Sequence, residues 1–234
     1  MKNLILATAA ILFSVLLNAQ TFSVVGGFNM SDLRVSSSEG DIDNNQYSLK
    51  PGFHFGFRTD IRINEFLSFA PAVLFSTKGT SMSYEYERPG FEFNGVILEE
   101  AVLVKVDSDI TLQYLDIPLA LQATHQLNDR LRVYGALGPY LGIGLYGKQK
   151  GTTESNGEKE SSELVLPWGN DPEEDFLQRL DMGITIGAGI EIEKVLVGLS
   201  FDTGLSNIST YQEEGARIEN KVLRFTVGYQ IGSF

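Results

Sequence analysis

The chain contains no cysteine. Disulfides are therefore excluded, as are a lipid-modified N-terminal cysteine and any metal site built on thiolates. Histidine is nearly absent: His54 and His125 are the only two, far apart in sequence, so a histidine-centred zinc cluster has little to draw on. Positive charge is in deficit, with 18 Lys+Arg against 30 Asp+Glu and a formal net charge of −12. Binding nucleic acid needs a basic patch for the phosphates, and this balance argues against it. Beyond the N-terminal segment no apolar run reaches the roughly 18 residues of a membrane helix. Proline is sparse at 7 residues, whereas glycine is plentiful at 24.

The N-terminus has Lys2, an apolar stretch from Leu4 to Leu17, then Asn18-Ala19-Gln20. A basic start, a short greasy core and a small residue describe a secretory signal peptide over residues 1–19, with cleavage after Ala19. The competing reading, an N-terminal membrane helix, fits less well because the stretch is short for a span of ~20 residues. Residues 20–234 then form one domain of a size that suits a single barrel.

What the chain has in abundance is alternation. In residues 179–192 the apolar Leu180, Met182, Ile184, Ile186, Ala188, Ile190 and Ile192 interleave with Arg179, Asp181, Gly183, Thr185, Gly187, Gly189 and Glu191. A strand sends successive side chains to opposite faces, so one face is greasy and the other polar throughout. At fourteen residues it exceeds the ~9–11 that cross a bilayer when tilted. Seven further strands of this kind are predicted, at Thr21–Met30, Gly52–Ile63, Phe66–Thr77, Ile110–Thr124, Leu131–Tyr146, Val195–Ser206 and Lys221–Ile231. Long loops fall at 31–51, 78–109, 147–178 and 207–220, and short turns at 64–65, 125–130 and 193–194. Eight strands with short turns on one side and long loops on the other predict an all-β, eight-stranded antiparallel transmembrane β-barrel, an up-and-down meander with long extracellular loops.

A soluble barrel also alternates, with its apolar face inside. Two features favour the membrane form. The polar face carries Gly138, Gly142, Gly144, Gly183, Gly187, Gly189, Gly198, Gly204 and Gly228. Glycine on a solvated face only weakens a strand, whereas in a narrow lumen it makes room for larger neighbours. The same face mixes Arg58, Arg62, Arg132, Arg179 and Arg224 with Asp60, Asp116, Asp181, Glu191 and Asp202, and lysine is nearly absent from the predicted strand bodies. These charges are expected to pair across the lumen and plug it, because buried charge survives only when paired.

Four segments resemble, in order and spacing, the Bacteroidetes outer-membrane β-barrel domain family, the porin-family or PorT-like barrels. They are Val24-Val25-Gly26-Gly27-Phe28-Asn29-Met30-Ser31, Tyr114-Leu115-Asp116-Ile117-Pro118-Leu119, Asp181 through Glu191, and Val197 through Ile208. The resemblance implies an eight-stranded barrel in the outer membrane of a Gram-negative bacterium, and it implies no enzymatic activity. Many such barrels end on an aromatic residue in phase with the lipid face. Phe234 ends this chain but falls out of phase with Phe225, Val227, Tyr229 and Ile231.

No catalytic, cofactor-binding or metal-ligating residue is assigned. By its phase His54 points into the lumen as a packing residue, and His125 sits near a turn. The 147–178 loop is acidic, with three lysines against eight carboxylates. Asn170-Asp171-Pro172-Glu173-Glu174-Asp175 offers oxygen ligands but lacks the spaced pattern of a calcium loop. A solvated tip, or one bridged by divalent ions to lipopolysaccharide phosphates, is the preferred reading. Trp168 either anchors at the membrane interface or packs the loop. Thr80–Arg88 and Phe91–Val106 retain partial alternation and read as extending the third and fourth strands as a hairpin, with two readings of its edge: a folded loop without a partner, which is preferred, or an exposed edge that pairs with a partner strand. The expected role is a non-enzymatic outer-membrane barrel, structural in the envelope or binding through its loops. Alternatives are a narrow channel or transporter, or an accessory of a secretion machine. Expected partners are outer-membrane lipid and lipopolysaccharide, the barrel-assembly machinery during biogenesis and an extracellular protein at the loops.

Overall fold

The computed structural model describes residues 20–37, 40, 41, 47–89, 91–93, 96–99, 101–171, 173–211 and 217–233. The predicted signal peptide and Phe234 lie outside the described residues. Eight strands form the ring: β1 Gln20–Ser37, β2 Tyr47–Arg62, β3 Leu67–Arg88, β4 Val102–Gln126, β5 Leu131–Ser155, β6 Leu180–Ile192, β7 Val195–Gly204 and β8 Arg217–Ser233. Each pairs antiparallel with its neighbours in chain order. The ring closes where β1 meets β8, from Thr21↔Ser233 to Ser36↔Arg217. Closure leaves no unpaired edge around the ring, which is the condition for a sheet to cross lipid.

The side chains are arranged inside out relative to a soluble protein. On β6, Leu180, Met182, Ile184 and Ile186 are exposed, whereas Asp181 and Glu191 are buried. Phe28 is 73% exposed and Phe57 63%, while Lys78 is 1% and Asp116 1% exposed. Water would not tolerate such an apolar exterior, since soluble monomers rarely expose large contiguous apolar patches. The outer face therefore meets hydrocarbon, and the charged face is enclosed.

The turns on one side are short and locally braced. Asn64 Oδ1 accepts from the backbone of Phe66 and Leu67, and Asn128 Oδ1 from Arg130 and Leu131. The two-residue turn Glu193-Lys194 has Glu193 at φ 54°, and Glu193 N–H donates to the carbonyl of Arg130 at 2.9 Å. It fixes the β6–β7 register, beginning at Ile192↔Val195.

On the other side several predicted strand limits are too short, whereas β7 ends at Gly204, before the predicted Ser206. β3 continues to Arg88 and pairs with β4 up to Val102, as the partial alternation of Thr80–Arg88 implied. The short strands Phe91–Phe93 and Val96–Glu99 pair with each other beyond it. The 147–178 region is not a single loop. β5 runs to Ser155 and folds back as a strand over Glu158–Val165, paired from Ser155↔Glu158 to Lys148↔Val165. The reason is local: Asn156 (φ 54°) and Gly157 (φ 80°) form the left-handed pair that a tight hairpin requires. β3, β4, β5 and Glu158–Val165 thus make an open sheet standing beyond the ring. At ~3.4 Å per residue, the 25 residues of β4 run far past a bilayer.

Candidate functional site

The lumen is crossed by a layer of ions. Lys78 on β3 places Nζ 2.9 Å from Asp116 Oδ1 on β4 and 3.1 Å from Asp181 Oδ2 on β6. Arg224 on β8 places Nη2 2.6 Å from Asp116 Oδ2 and 2.7 Å from Asp202 Oδ2 on β7. β4 and β8 lie four strands apart in a ring of eight, so the Asp116–Arg224 pair spans the full lumen. Neutral donors complete the layer. Tyr140 O–H lies 3.2 Å from both Asp181 oxygens, and Asn220 Nδ2 donates to Asp181 Oδ2 at 2.9 Å. Lys78 Nζ also faces the rings of Tyr114 and Tyr140, at 4.4 and 5.0 Å from their centres. Every strand from β3 to β8 contributes a side chain.

Lys78 is the residue that strand prediction missed. The alternation stops at Gly79, whose φ of 141° marks an irregularity, and β2 and β3 shift register between Leu49 and His54. Lys78 therefore reads as the first residue of a loop, although it still belongs to the inward phase of Ala72, Leu74 and Ser76. The expected plug of arginines is corrected in two places. Arg62 and Arg179 are exposed at the ends of the ring and take no part in the lumen. Arg179 instead donates to the Gly144 carbonyl at 3.4 Å.

Nearer the short turns, a second group of charges is arranged around the wall. Arg58 Nη2 meets Asp60 at 2.7 Å and also donates to Gln122. Arg132 Nη2 meets Glu191 at 2.7 Å. The Arg58 guanidinium lies 5.3 Å from the centre of the Tyr134 ring. Glycines make room for these large side chains, as their inward phase predicts. A Cβ on Gly183 would lie 2.5 Å from the Tyr140 ring, and one on Gly198 would lie 2.2 Å from the Tyr134 hydroxyl.

His54 is buried in the lumen, as its phase predicts. Nδ1 is 2.7 Å from Asn29 Oδ1 and Nε2 is 3.0 Å from Thr226 Oγ1. Asn29 Nδ2 in turn donates to Ser76 Oγ at 3.0 Å and the Thr77 carbonyl at 3.0 Å. His54 is thus held by an amide and a hydroxyl. His125 is exposed near the turn side.

Above the ion layer sits an apolar cap. Trp168 is 9% exposed and packs with Leu33, Leu112, Tyr114, Leu166, Leu177 and Ile208. Its ring meets Tyr114 edge-on at 5.5 Å, and it lies directly over Gly144, where a Cβ would come within 2.3 Å. Of the two roles open to Trp168, packing is the one found. The segments 166–178 and 205–210 are joined by hydrogen bonds from Gln178 N–H to the Ile208 carbonyl and from Thr210 Oγ1 to the Asp175 carbonyl. The acidic tip caps itself: Asp171 Oδ1 accepts from Glu173 N–H at 3.0 Å, and Asp175 Oδ2 from Asp171 N–H at 3.1 Å. Pro172 lies outside the described residues. Among the described residues no group of His, Asp and Glu is arranged to hold a metal ion.

Residues 18–210 match the family model described as "Outer membrane protein beta-barrel domain". Among curated proteins none matches the chain. Among solved structures the chain is similar to Ail, the attachment invasion locus protein of Yersinia pestis, at 18% identity and TM-score 0.35, covering 92% of this chain and 99% of that one. It is similar to Neisserial surface protein A at 13% identity and TM-score 0.40, covering 90% and 97%. OprG from Pseudomonas aeruginosa aligns at 13% identity and TM-score 0.42, covering 92% and 97%.

Proposed function

Since the chain belongs to the outer-membrane-protein β-barrel domain family, we propose that it is a non-enzymatic, non-conducting barrel that holds a β-sheet and loops outside the cell for binding. The observation that carries this proposal is the Lys78–Asp116–Arg224–Asp202 chain with Asp181 attached, which reaches from β3 to β8 across the lumen. A water path along the axis would have to part at least one buried pair, and separating such charges in low dielectric is costly. The Trp168 cap lies in series with that layer. The neutral partners of His54 support the non-enzymatic assignment.

The protruding sheet and the acidic tip supply the surface for partners. We assign to them an extracellular protein and, through divalent ions, the phosphates of lipopolysaccharide. Lipid covers the belt, and the assembly machinery inserts the chain after removal of residues 1–19. The spacing of the Tyr114–Leu119 and Asp181–Glu191 segments supports placing it among the Bacteroidetes PorT-like barrels of a Gram-negative outer membrane.

The alternative is a narrow channel, and one observation favours it: a lumenal cavity of about 100 Å³ between Arg224 and Arg58. Purified protein in planar bilayers separates the two. The plugged barrel gives no unitary current steps at moderate voltage. Discrete steps from wild-type protein, lost on adding a specific antibody to the loops, would establish the channel instead.

A further inference from the structure

The outer sheet ends on an open strand. Glu158–Val165 pairs with β5 on one side, every one of its residues is exposed, and among the described residues no strand pairs with its other side. The hydrogen bond from Leu166 N–H to the Gly147 carbonyl sets the phase of this ladder. Hydrogen-bonded pairs alternate along an antiparallel ladder, so Glu158, Glu160, Ser162 and Leu164 turn their backbone groups toward β5. Lys159, Ser161, Glu163 and Val165 turn theirs to the open edge.

The same register builds two rows of alternating charge on one face. Farther from the ring stand Glu85, Lys105, Glu154 and Lys159, one on each strand from β3 to the edge. Nearer the ring stand Asp109, Lys150 and Glu163, with Lys50 of β2 joined to Asp109 at 2.7 Å. Ion pairs link neighbours within the rows, Lys159–Glu154 at 3.0 Å and Lys150–Glu163 at 3.2 Å. One row therefore reaches the edge as a cation and the other as a carboxylate. Opposite charges across a strand pair are favourable and like charges are not.

A further strand on this edge must carry an acid opposite Lys159 and a base opposite Glu163. A second copy of Glu158–Val165, laid antiparallel about Ser161, meets both conditions twice. Lys159 then faces Glu163 of the second copy, Ser161 faces its own counterpart, and both rows keep alternating across the joint. On the other face Glu158 lies opposite Leu164 and Glu160 opposite Ser162, so no two carboxylates stand opposite each other. Moving the copy by one ladder step either sets Glu160 against Glu160 or leaves Lys159 against Val165. A lysine on an edge ordinarily blunts pairing with passing strands. Here it rejects most strands and accepts this one.

We propose that Glu158–Val165 is a homotypic docking edge whose occupant is the same strand of a second copy. The proposal rests on the reading that the sheet stands outside the cell for binding, and it names the partner. The two-fold axis that relates antiparallel strands of one sheet is normal to that sheet. The sheet continues the barrel wall, so this operation turns the second barrel upside down. The two copies therefore sit in facing membranes, and pairing ties one membrane to another. The dimensions allow it. The outward phase of β4 turns polar beyond Leu115, eight residues before the level of Asp107, which shares a row with Thr152 and Ser161. At ~3.4 Å per residue and a tilt of ~40° the axis stands roughly 20 Å above the belt, which clears a headgroup layer of roughly 5–7 Å. About six backbone hydrogen bonds make a weak contact singly. Many copies between two membranes act together.

Vesicle clustering tests this. The mature chain is reconstituted into phosphatidylcholine vesicles by detergent removal, so that barrels insert in both directions, and particle size is followed by light scattering. Wild-type vesicles should cluster, and Ser161→Pro, which removes an edge N–H that the sheet itself does not use, should leave them as dispersed as protein-free vesicles. Lys159→Glu sets carboxylate against carboxylate in a like pair, and Glu163→Lys sets ammonium against ammonium, so each should disperse its own vesicles. Mixed together, the two variants face each other with opposite charges at both positions, and clustering should return to the wild-type level. A hairpin merely damaged by substitution would show no such recovery. Dispersed wild-type vesicles, clustering that survives Ser161→Pro, or a mixture that stays dispersed would each overturn homotypic docking. None of those results touches the sealed-barrel reading, which stands or falls on current steps in planar bilayers.

Discussion

Two sets of lysine–carboxylate pairs share a bond length and little else. Lys78–Asp116 is 2.9 Å long with side chains 0% and 1% exposed, whereas Lys159–Glu154 on the outer sheet is 3.0 Å long with side chains 65% and 41% exposed. The outer pair competes with water and salt at every moment, and such pairs contribute about 0–1 kcal/mol. The inner pair has no competitor. Its formation recovers a desolvation cost already incurred, so its value lies in what breaking it would expose. Distance alone therefore says nothing about which ion pairs hold this molecule together. The surroundings decide it, and the alternation of the sequence sets the surroundings.

The largest expected effect breaks the inner set. Lys78→Met leaves Asp116 and Asp181 without their shared cation, and a loss of about 3–5 kcal/mol is expected. It would be read from urea unfolding in lipid vesicles and from loss of the heat-modifiable gel band. An unchanged unfolding midpoint would mean that Arg224, Tyr140 and Asn220 suffice. Trp168→Ala probes the boundary between the two sets. Removing a packed tryptophan costs about 3 kcal/mol at the lower end of the usual range, since the mouth lies near water. Because Trp168 is the only tryptophan, wild-type fluorescence should be blue-shifted and poorly quenched by acrylamide. Emission like that of free tryptophan would place the cap outside the barrel.

Smaller effects sharpen the outer set. A double-mutant cycle on Lys159→Ala and Glu154→Ala should give a coupling below about 1 kcal/mol that vanishes in high salt. A larger, salt-insensitive coupling would show that the sheet is covered by something in its working state. The smallest effect concerns Asp109, on the sheet at the edge of the ring. Hydrogen bonds from Lys50 at 2.7 Å and Ser81 at 2.5 Å hold its carboxyl below the ordinary carboxylate range. A lowered folded value means the contact stabilises the sheet above the unfolded midpoint near 3.9 and is lost as pH falls through the folded one. Carboxyl titration by NMR should show the lowered midpoint in wild type and its return upward in Lys50→Ala.

These two regions were legible to different degrees. The belt was readable because period two persists wherever one face meets lipid, as in Leu180–Ile192. The inward phase of Asp116, Asp181, Asp202 and Arg224 followed from the same count. Their pairing did not, because partners 108 residues apart are chosen by ring closure and stagger, which no local pattern encodes. Lys78 escaped because a backbone irregularity at Gly79 hides one more inward residue. The outer hairpin left a readable sign in Asn156-Gly157, but its flanking strands are polar on both faces, since both meet water. Trp168 in its cap was ambiguous for a similar reason: one tryptophan in an acidic loop has no periodicity to declare which way it turns.

The sequence separations in the central layer also bear on how the molecule is made. Lys78 waits for Asp181, 103 residues later, and Asp116 waits for Arg224 on the last strand. A chain that stalls before β8 holds Asp116 and Asp202 without the guanidinium that both require. Such a half-built ring carries naked charge where oil surrounds it, so the final strand does more than shut the seam: its arrival marks a finished product from an unfinished one.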